Sequence, residues 1–283
     1  MKLIKTLDRM QKLSARLKRE GHKIAFVPTM GALHEGHLAL VKRAKKAGDI
    51  VIVSIYVNPA QFGPTEDLAK YPRTFKDDRQ KLSNLKVDYL FCPTNDIMYP
   101  EGYETYIQVE KMSTVLEGKF RPVFFRGVVT IVTKLFNIVQ PDVAIFGQKD
   151  YQQSVIVRKL VKDLNIPVKI IVAPTVREES GLAMSSRNRY FNAEQKKRAG
   201  VLYRSLQMAK YMIDNGKRNS DTIRKEMRKV INQTPGTRIE YIEMTDNDSL
   251  KPLSRLSGKF TISLAVWLDD VRLIDNISVN LKD

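Results

Sequence analysis

Cysteine is nearly missing from this chain. Cys92 stands alone in 283 residues, so no disulfide can close within the chain and no multi-cysteine metal site can be built. Long apolar runs are missing as well. No stretch approaches the ~20 uninterrupted apolar residues of a membrane span, and Met1-Lys2-Leu3-Ile4-Lys5 leads into a charged amphipathic pattern rather than the apolar core of a signal peptide. A cytoplasmic protein with no membrane partner is expected. Negative charge is in short supply, since 31 acidic residues face 48 basic ones and leave a net charge of +17. Such a charge suits nucleic acid, an anionic surface or a small polyanionic substrate and does not choose among them. Runs such as Lys42-Arg43-Ala44-Lys45-Lys46 and Lys196-Lys197-Arg198 read as solvated helix faces and form no nucleic-acid motif, so no nucleic-acid partner is expected. Internal repeats and low-complexity segments are absent too.

What is present is an ordinary globular composition, 43% hydrophobic and 28% charged, long enough for two domains. Leu3, Ile4, Leu7, Met10, Leu13 and Leu17 recur at helical spacing, and Ile24-Ala25-Phe26-Val27 reads as a short buried strand. A helix from about Gly36 to Lys46 and a strand from Ile50 to Tyr56 complete a β-α-β unit. Further strands are expected at Tyr89–Cys92, Val143–Phe146 and Val168–Val172, alternating with helices around Lys76–Leu85, Val128–Val139 and Tyr151–Leu164. This alternation predicts an α/β fold with a doubly wound, Rossmann-like parallel sheet. After about Val176 the pattern changes to helices at Ala193–Ile213 and Ser220–Ile231. Strands at Arg238–Met244, Phe260–Trp267 and Val271–Val279 follow, with Asp269-Asp270 suited to a tight hairpin. We expect residues 1–175 to form the first domain and 176–283 a smaller α+β domain with a short antiparallel sheet.

The segment Met30-Gly31-Ala32-Leu33-His34-Glu35-Gly36-His37 lies between a strand and a helix, where an open α/β sheet places its ligand crevice. A helix N-terminus offers unpaired backbone N–H groups and a partial positive charge, which suits a polyphosphate. Gly31 and Gly36 have Walker A spacing, but His37-Leu38 stands where that motif needs Lys and then Ser or Thr. The zinc-protease pattern H-E-x-x-H fails too, because Leu38 occupies the place of its second histidine. Two of the chain's three histidines, His34 and His37, fall three apart at this point and can face one bound group. His22, in a Glu-Gly-His-Lys turn, carries no assigned role. A second polar loop, Met184-Ser185-Ser186-Arg187-Asn188, follows the last expected parallel strand and offers two hydroxyls and a fixed cation to phosphate.

Together these two segments resemble the nucleotidyltransferase superfamily, whose members carry an H-x-G-H motif early and a lysine- or serine-rich phosphate loop late. Three more segments narrow the resemblance: Asn58-Pro59-Ala60-Gln61-Phe62-Gly63, Tyr71-Pro72-Arg73-Thr74 and Gly147-Gln148-Lys149-Asp150-Tyr151-Gln152-Gln153. With them the chain is similar to the pantothenate synthetase (pantoate–β-alanine ligase) family, closely over residues 3 to 192 and more loosely beyond. The resemblance implies that Met30 to His37, Gly147 to Asp150, Val176 and Met184, Ser185, Ser186 and Arg187 contact ATP. It implies pantoate contacts at Gln61 and Gln153, a β-alanine contact at Gln61, and catalytic roles for His37 as proton donor with His34 and Lys149. Asp150 is expected to accept from the ribose, or with Lys149 to form only a surface ion pair and helix cap.

The implied reaction activates pantoate with ATP as pantoyl adenylate and passes it to β-alanine, with Mg²⁺ accompanying ATP and no dedicated protein metal site. Asp77 and Asp78 are candidate helpers for that ion, but the preferred expectation is solvent-facing charges at a helix start. The resemblance also implies a homodimer. In Arg121-Pro122-Val123-Phe124-Phe125-Arg126-Gly127 the family often has histidine at the place of Phe124, and Gln148 replaces a frequent acidic residue. Three rivals are weighed against this reading. A nucleotide transferase with a phosphorylated acceptor should have a more cationic pocket. A tRNA-charging enzyme lacks room here for an anticodon module, and a noncatalytic nucleic-acid binder rests on charge alone.

Overall fold

The computed structural model describes residues 1–64 and 66–281. In chain order its helices and strands are β1 (Lys2–Ile4), α1 (Leu7–Arg19), β2 (Ile24–Thr29), α2 (Glu35–Ala44), β3 (Ile50–Ile55), α3 (Phe75–Asn84), β4 (Tyr89–Phe91), α4 (Asn95–Met98), α5 (Glu117–Phe120), α6 (Phe124–Val139), β5 (Val143–Gly147), α7 (Tyr151–Asp163), β6 (Lys169–Ala173), α8 (Ala193–Ala199), α9 (Val201–Asp214), α10 (Ser220–Asn232), β7 (Thr237–Asp246), β8 (Lys259–Leu268) and β9 (Val271–Asn280). Short 3-10 turns occupy Pro59–Gln61, Gln148–Asp150 and Ser186–Tyr190.

The first six strands form one parallel sheet in the order β1-β4-β3-β2-β5-β6. Strand side chains alternate between faces, and β2 shows the result. Ile24 and Phe26 enter one core with Met10 and Leu17 of α1 and a row of α6 residues from Val128 to Val139. Ala25 and Val27 enter another core with Val41 and Ala44 of α2 and Leu82 of α3. Helices therefore cover both faces, which is why the strands read as continuous apolar runs. The chain runs from β2 to β3 in one direction and later places β5 on the other side of β2, so the strand order reverses at the β2/β5 pair. Ligands of open α/β sheets bind at the carboxyl ends of strands flanking such a point.

The molecule divides into two compact units. The first comprises Met1–Thr114, Gly118–Gly147 and Ile156–Pro174, and the second comprises Val115–Glu117, Gln148–Val155 and the chain from Thr175 onward. A single cut at residue 175 leaves Val115–Glu117 and Gln148–Val155 in the first domain, but they pack with the second unit. In that unit β7, β8 and β9 form an antiparallel sheet. Ile242, Met244, Ile262, Leu264 and Val266 pack against Leu202, Leu206 and Ile213 of α9 and Ile223, Met227 and Ile231 of α10. Leu268 pairs with Val271 across the two-residue turn Asp269-Asp270, and Asp269 takes the left-handed φ of 50° that Asp tolerates better than most residues.

Three elements differ from expectation. Leu3 and Ile4 belong to a strand, not to the first helix, because they pair in register with Leu90 and Phe91 of β4. The helix expected at Ala193–Ile213 is broken at Gly200, where a Cβ would lie 2.3 Å from the Ser180 carbonyl oxygen. Helix α6 starts at Phe124, a turn before the expected Val128. Among the described residues no helix is long and apolar enough to cross a membrane.

Candidate active site

In the first unit the site begins where β2 ends. The Thr29 hydroxyl donates to the Ser54 carbonyl at 2.7 Å, and the Gly31 amide donates to the Thr29 hydroxyl at 3.2 Å. The chain then turns sharply, with Gly31 at φ 80° and Ala32 at φ 50°. A non-glycine residue in that region needs support, and Asp78 provides it. Its carboxylate is 1% exposed and accepts from the Ala32 amide at 2.9 Å, the Leu33 amide at 2.8 Å and the Thr74 hydroxyl at 3.1 Å. The expectation of a solvent-facing Asp78 is therefore overturned, while Asp77 is exposed as expected and pairs with Lys81 at 2.8 Å. Lys81 also donates to the Leu33 carbonyl at 2.9 Å.

This fixed loop delivers His34 to the N-cap of α2 and His37 to its first turn. Both rings are half-buried, with centroids 4.0 Å apart and planes tilted by 41°. The His34 amide lies 3.4 Å from His37 Nδ1 and donates to it. An Nδ1 that accepts puts the ring proton on Nε2, so His37 is set up as a donor through Nε2. Of the remaining loop residues Met30 and Gly36 are half-buried and Glu35 is exposed.

Gln61 also belongs to the first unit. It is 7% exposed and ends the turn Pro59–Gln61, which Asn58 caps by accepting from the Ala60 amide at 3.3 Å. The turn is braced by α6. Asn58 Nδ2 donates to the Gly127 carbonyl at 3.1 Å, and Arg121 donates to the Gln61 carbonyl at 3.2 Å while pairing with Glu66. A Cβ at Gly127 would lie 2.1 Å from the Ala60 carbonyl oxygen, so only glycine allows this approach. Phe124 has its own use here: its ring stacks under the Arg121 guanidinium at 3.8 Å. Gly147 ends β5 with open space at its Cβ position, the nearest atom being Leu40 Cδ2 at 4.0 Å, so no steric demand explains that glycine.

In the second unit Gln148–Asp150 form a 3-10 turn that opens into α7. Lys149 Nζ lies 3.1 Å from Asp150 Oδ1. The neighbouring glutamines differ. Gln152 is 5% exposed, accepts from the Glu117 amide at 2.9 Å and donates to the Val115 carbonyl at 2.7 Å. Gln153 is half-buried and makes no such bond among the described residues. Val176 starts a small hairpin whose far side is Met184, the Met184 amide donating to the Val176 carbonyl at 2.9 Å. Ser185 then caps the turn Ser186–Tyr190 by accepting from the Arg187 amide at 3.3 Å, and Asn188 ties it to Glu178 at 2.8 Å and the Ala183 carbonyl at 3.0 Å. The predicted residues thus divide between the two units: Met30 to His37, Gln61 and Gly147 lie in the first, Gln148 to Asp150, Gln153, Val176 and Met184 to Arg187 in the second.

Sequence reasoning named Asp78 without its inward-facing role and quoted Asn58 and Gly127 without one, and it passed over Asp275 and Asn276 of β9. Charge at a helix start gave no sign of which aspartate points inward. Cys92 offers no nucleophile, since burial pushes its thiol up to about 11 and leaves it neutral at physiological pH.

A parallel sheet with its switch point at β2/β5 and a histidine-bearing loop at the end of β2 defines a doubly wound α/β protein, a class that binds its ligands at strand ends. A family model described as pantoate-beta-alanine ligase matches residues 2–278, and the chain belongs to that family of enzymes. A pantothenate synthetase from Moorella thermoacetica is 48% identical over the full length of both chains. The crystal structure of pantothenate synthetase from Thermus thermophilus superposes with a TM-score of 0.92 at 42% identity, covering 98% of this chain and 99% of that one. The ligase from Francisella tularensis, in a structure complexed with beta-gamma ATP and beta-alanine, reaches 0.79 at 36% identity over 98% and 97% of the two chains.

Proposed function

We propose that this chain condenses pantoate with β-alanine in two steps driven by MgATP. In the first step a pantoate carboxylate oxygen bonds to the α-phosphorus and the bond to pyrophosphate breaks, leaving pantoyl adenylate. In the second the neutral amine of β-alanine bonds to the acyl carbon, the bond to the adenylate oxygen breaks, AMP leaves and the amine sheds a proton. The observation that carries this reading is the Asp78-held loop, which presents His34 and His37 at the strand end next to the switch point. Preorganised donors act where phosphate charge develops, and His37 donating through Nε2 is suited to the five-coordinate α-phosphorus.

Lys149, as a point charge, neutralises the charge that develops near the reacting carboxylate and phosphate. Asp150 accepts from the ribose. Ser185, Ser186 and Arg187 donate to phosphate oxygens, with Met30 to Glu35, Gly36, Gly147, Gln148, Val176 and Met184 as the other ATP contacts. Gln61 and Gln153 bind pantoate as neutral amides, which pair with its hydroxyls and carboxylate without adding a competing charge; Gln61 also meets β-alanine. Support for these roles is that among the described residues the Gln153 side chain has no hydrogen-bond partner while that of Gln152 has, and that Gln61 sits in a braced turn. Among the described residues no cluster of three or more His, Cys, Asp or Glu could hold a metal ion. In this reading Mg²⁺ is carried on the phosphates of ATP as part of the substrate. The family resemblance supports a homodimer.

The test is pyrophosphate release from purified protein with MgATP and pantoate, followed by β-alanine. Release that depends on pantoate, then AMP and pantothenate in equal amounts, is expected. No release from folded protein that binds ATP would refute the proposal.

A further inference from the structure

Two adjacent residues of β9, neither part of the site expected from sequence, hold both phosphate-binding segments of the second unit. Asn276 is 4% exposed. Its Nδ2 donates to the carbonyls of Gln148 at 3.0 Å and Lys149 at 2.9 Å, and its Oδ1 accepts from Gln148 Nε2 at 3.1 Å. Both amide protons and the carbonyl oxygen are used, and both donated bonds go to backbone, so the contact fixes the path of the turn that carries Lys149.

Asp275, 3% exposed, faces the other segment. Its two oxygens take Arg177 Nη1 at 2.6 Å and Nη2 at 3.0 Å, a bidentate pair that fixes geometry as well as charge. Arg177 also donates to the Gly181 carbonyl at 3.0 Å and stacks on Tyr203 at 3.8 Å. It follows Val176 directly and bridges to Ala183, the residue before Met184. The same Asp275 oxygen that takes Nη2 accepts from the Asn276 amide at 2.8 Å, so the two halves share a joint.

We infer that Asp275 and Asn276 are positioning residues for MgATP, setting the Gln148–Asp150 turn and the Val176–Arg187 hairpin at a fixed separation from one strand. The inference rests on the ligase reading for which residues meet ATP. A surface role would not explain why a buried amide spends both protons on the backbone of two successive site residues. A purely structural role for β9 is already filled by its apolar face, with Leu273 and Val279 in the core.

The test uses the full chain: wild type, Asn276→Asp, Asn276→Ala, Asp275→Asn and, as control, Val279→Ala. MgATP affinity is read by titration calorimetry, KM for ATP and for pantoate by pyrophosphate release, and melting by circular dichroism. Asn276→Asp keeps the shape but sets a carboxylate oxygen against two carbonyls. It and Asp275→Asn are expected to weaken MgATP roughly tenfold and raise the ATP KM, with the pantoate KM unchanged. Val279→Ala lowers the melting temperature and moves neither KM. Asn276→Ala serves in place of Asn276→Asp where that variant does not fold. Wild-type MgATP affinity in a folded Asn276 variant overturns the inference, as does equal loss for ATP and pantoate or a matching loss in Val279→Ala. The calorimetric arm separates the two claims: wild type that binds MgATP but releases no pyrophosphate sinks the ligase reading while the variants still measure positioning. Wild type without MgATP affinity overturns both.

Discussion

Asp77 and Asp78 share a charge, a helix and a turn, yet the chain uses them in opposite ways. Asp77 faces water, and its pair with Lys81 is an exposed i,i+4 contact of the kind that contributes little. Asp78 is buried and accepts from two successive amides of a loop whose Ala32 has positive φ. Replacing it by Asn would turn one of those acceptors into a donor against an N–H. Leaving a buried amide unsatisfied costs about 1–3 kcal/mol, so Asp78→Asn should lower the melting temperature clearly and weaken MgATP more than pantoate. Asp77→Asn should stay within about 0.5 kcal/mol of wild type. Comparing the two by thermal melting and calorimetry decides the matter, and equal behaviour would remove the clamp. The histidines were legible because their spacing and position after a strand carry chemical meaning. Asp78 was not, since its partners are backbone amides 45 and 46 residues away and no local pattern encodes such a pairing.

Elements were legible in proportion to how local their cause is. The parallel strands announced themselves as apolar runs because both faces are covered, and α10 did so through its single apolar stripe of Ile223, Met227 and Ile231. β1 did not, because three residues are too few to show a period and their pairing partner lies at Tyr89–Phe91. The break at Gly200 was missed for a similar reason, since the Ser180 carbonyl that requires a glycine there is distant in the sequence. Helix α6 shows how an element far from the chemistry by sequence shapes it, with Gly127 letting the Asn58–Gln61 turn lie against the helix. Gly127→Ala would force the Ala60 carbonyl away from a 2.1 Å contact. Overpacking of this kind costs about 1–3 kcal/mol. The variant should melt earlier and show a raised KM for pantoate, with MgATP affinity by calorimetry close to wild type. A raised KM for ATP alone would contradict the role given to this turn.

At the scale of the whole molecule, composition excluded intrachain disulfides, multi-cysteine metal sites and long apolar spans but could not assign a reaction. The net charge of +17 fits a polyanionic substrate and several other partners equally. The proposed reaction rests instead on the family match over residues 2–278 and on the motifs the chain carries. This makes the order of bond changes the decisive property. With pantoate carrying ¹⁸O in both carboxylate oxygens, adenylation leaves one labelled oxygen bridging carbon and phosphorus. Attack by the β-alanine amine then breaks the carbon–oxygen bond, so that oxygen departs on AMP and the other stays in the new amide. Mass spectrometry should therefore find one ¹⁸O in the AMP phosphate and one in pantothenate for each turnover. An acyl phosphate route, in which the carboxylate attacks the γ-phosphorus, would send the label to inorganic phosphate and yield ADP. Label in phosphate would overturn the adenylate, whereas label in AMP excludes the acyl phosphate and supports attack at the α-phosphorus.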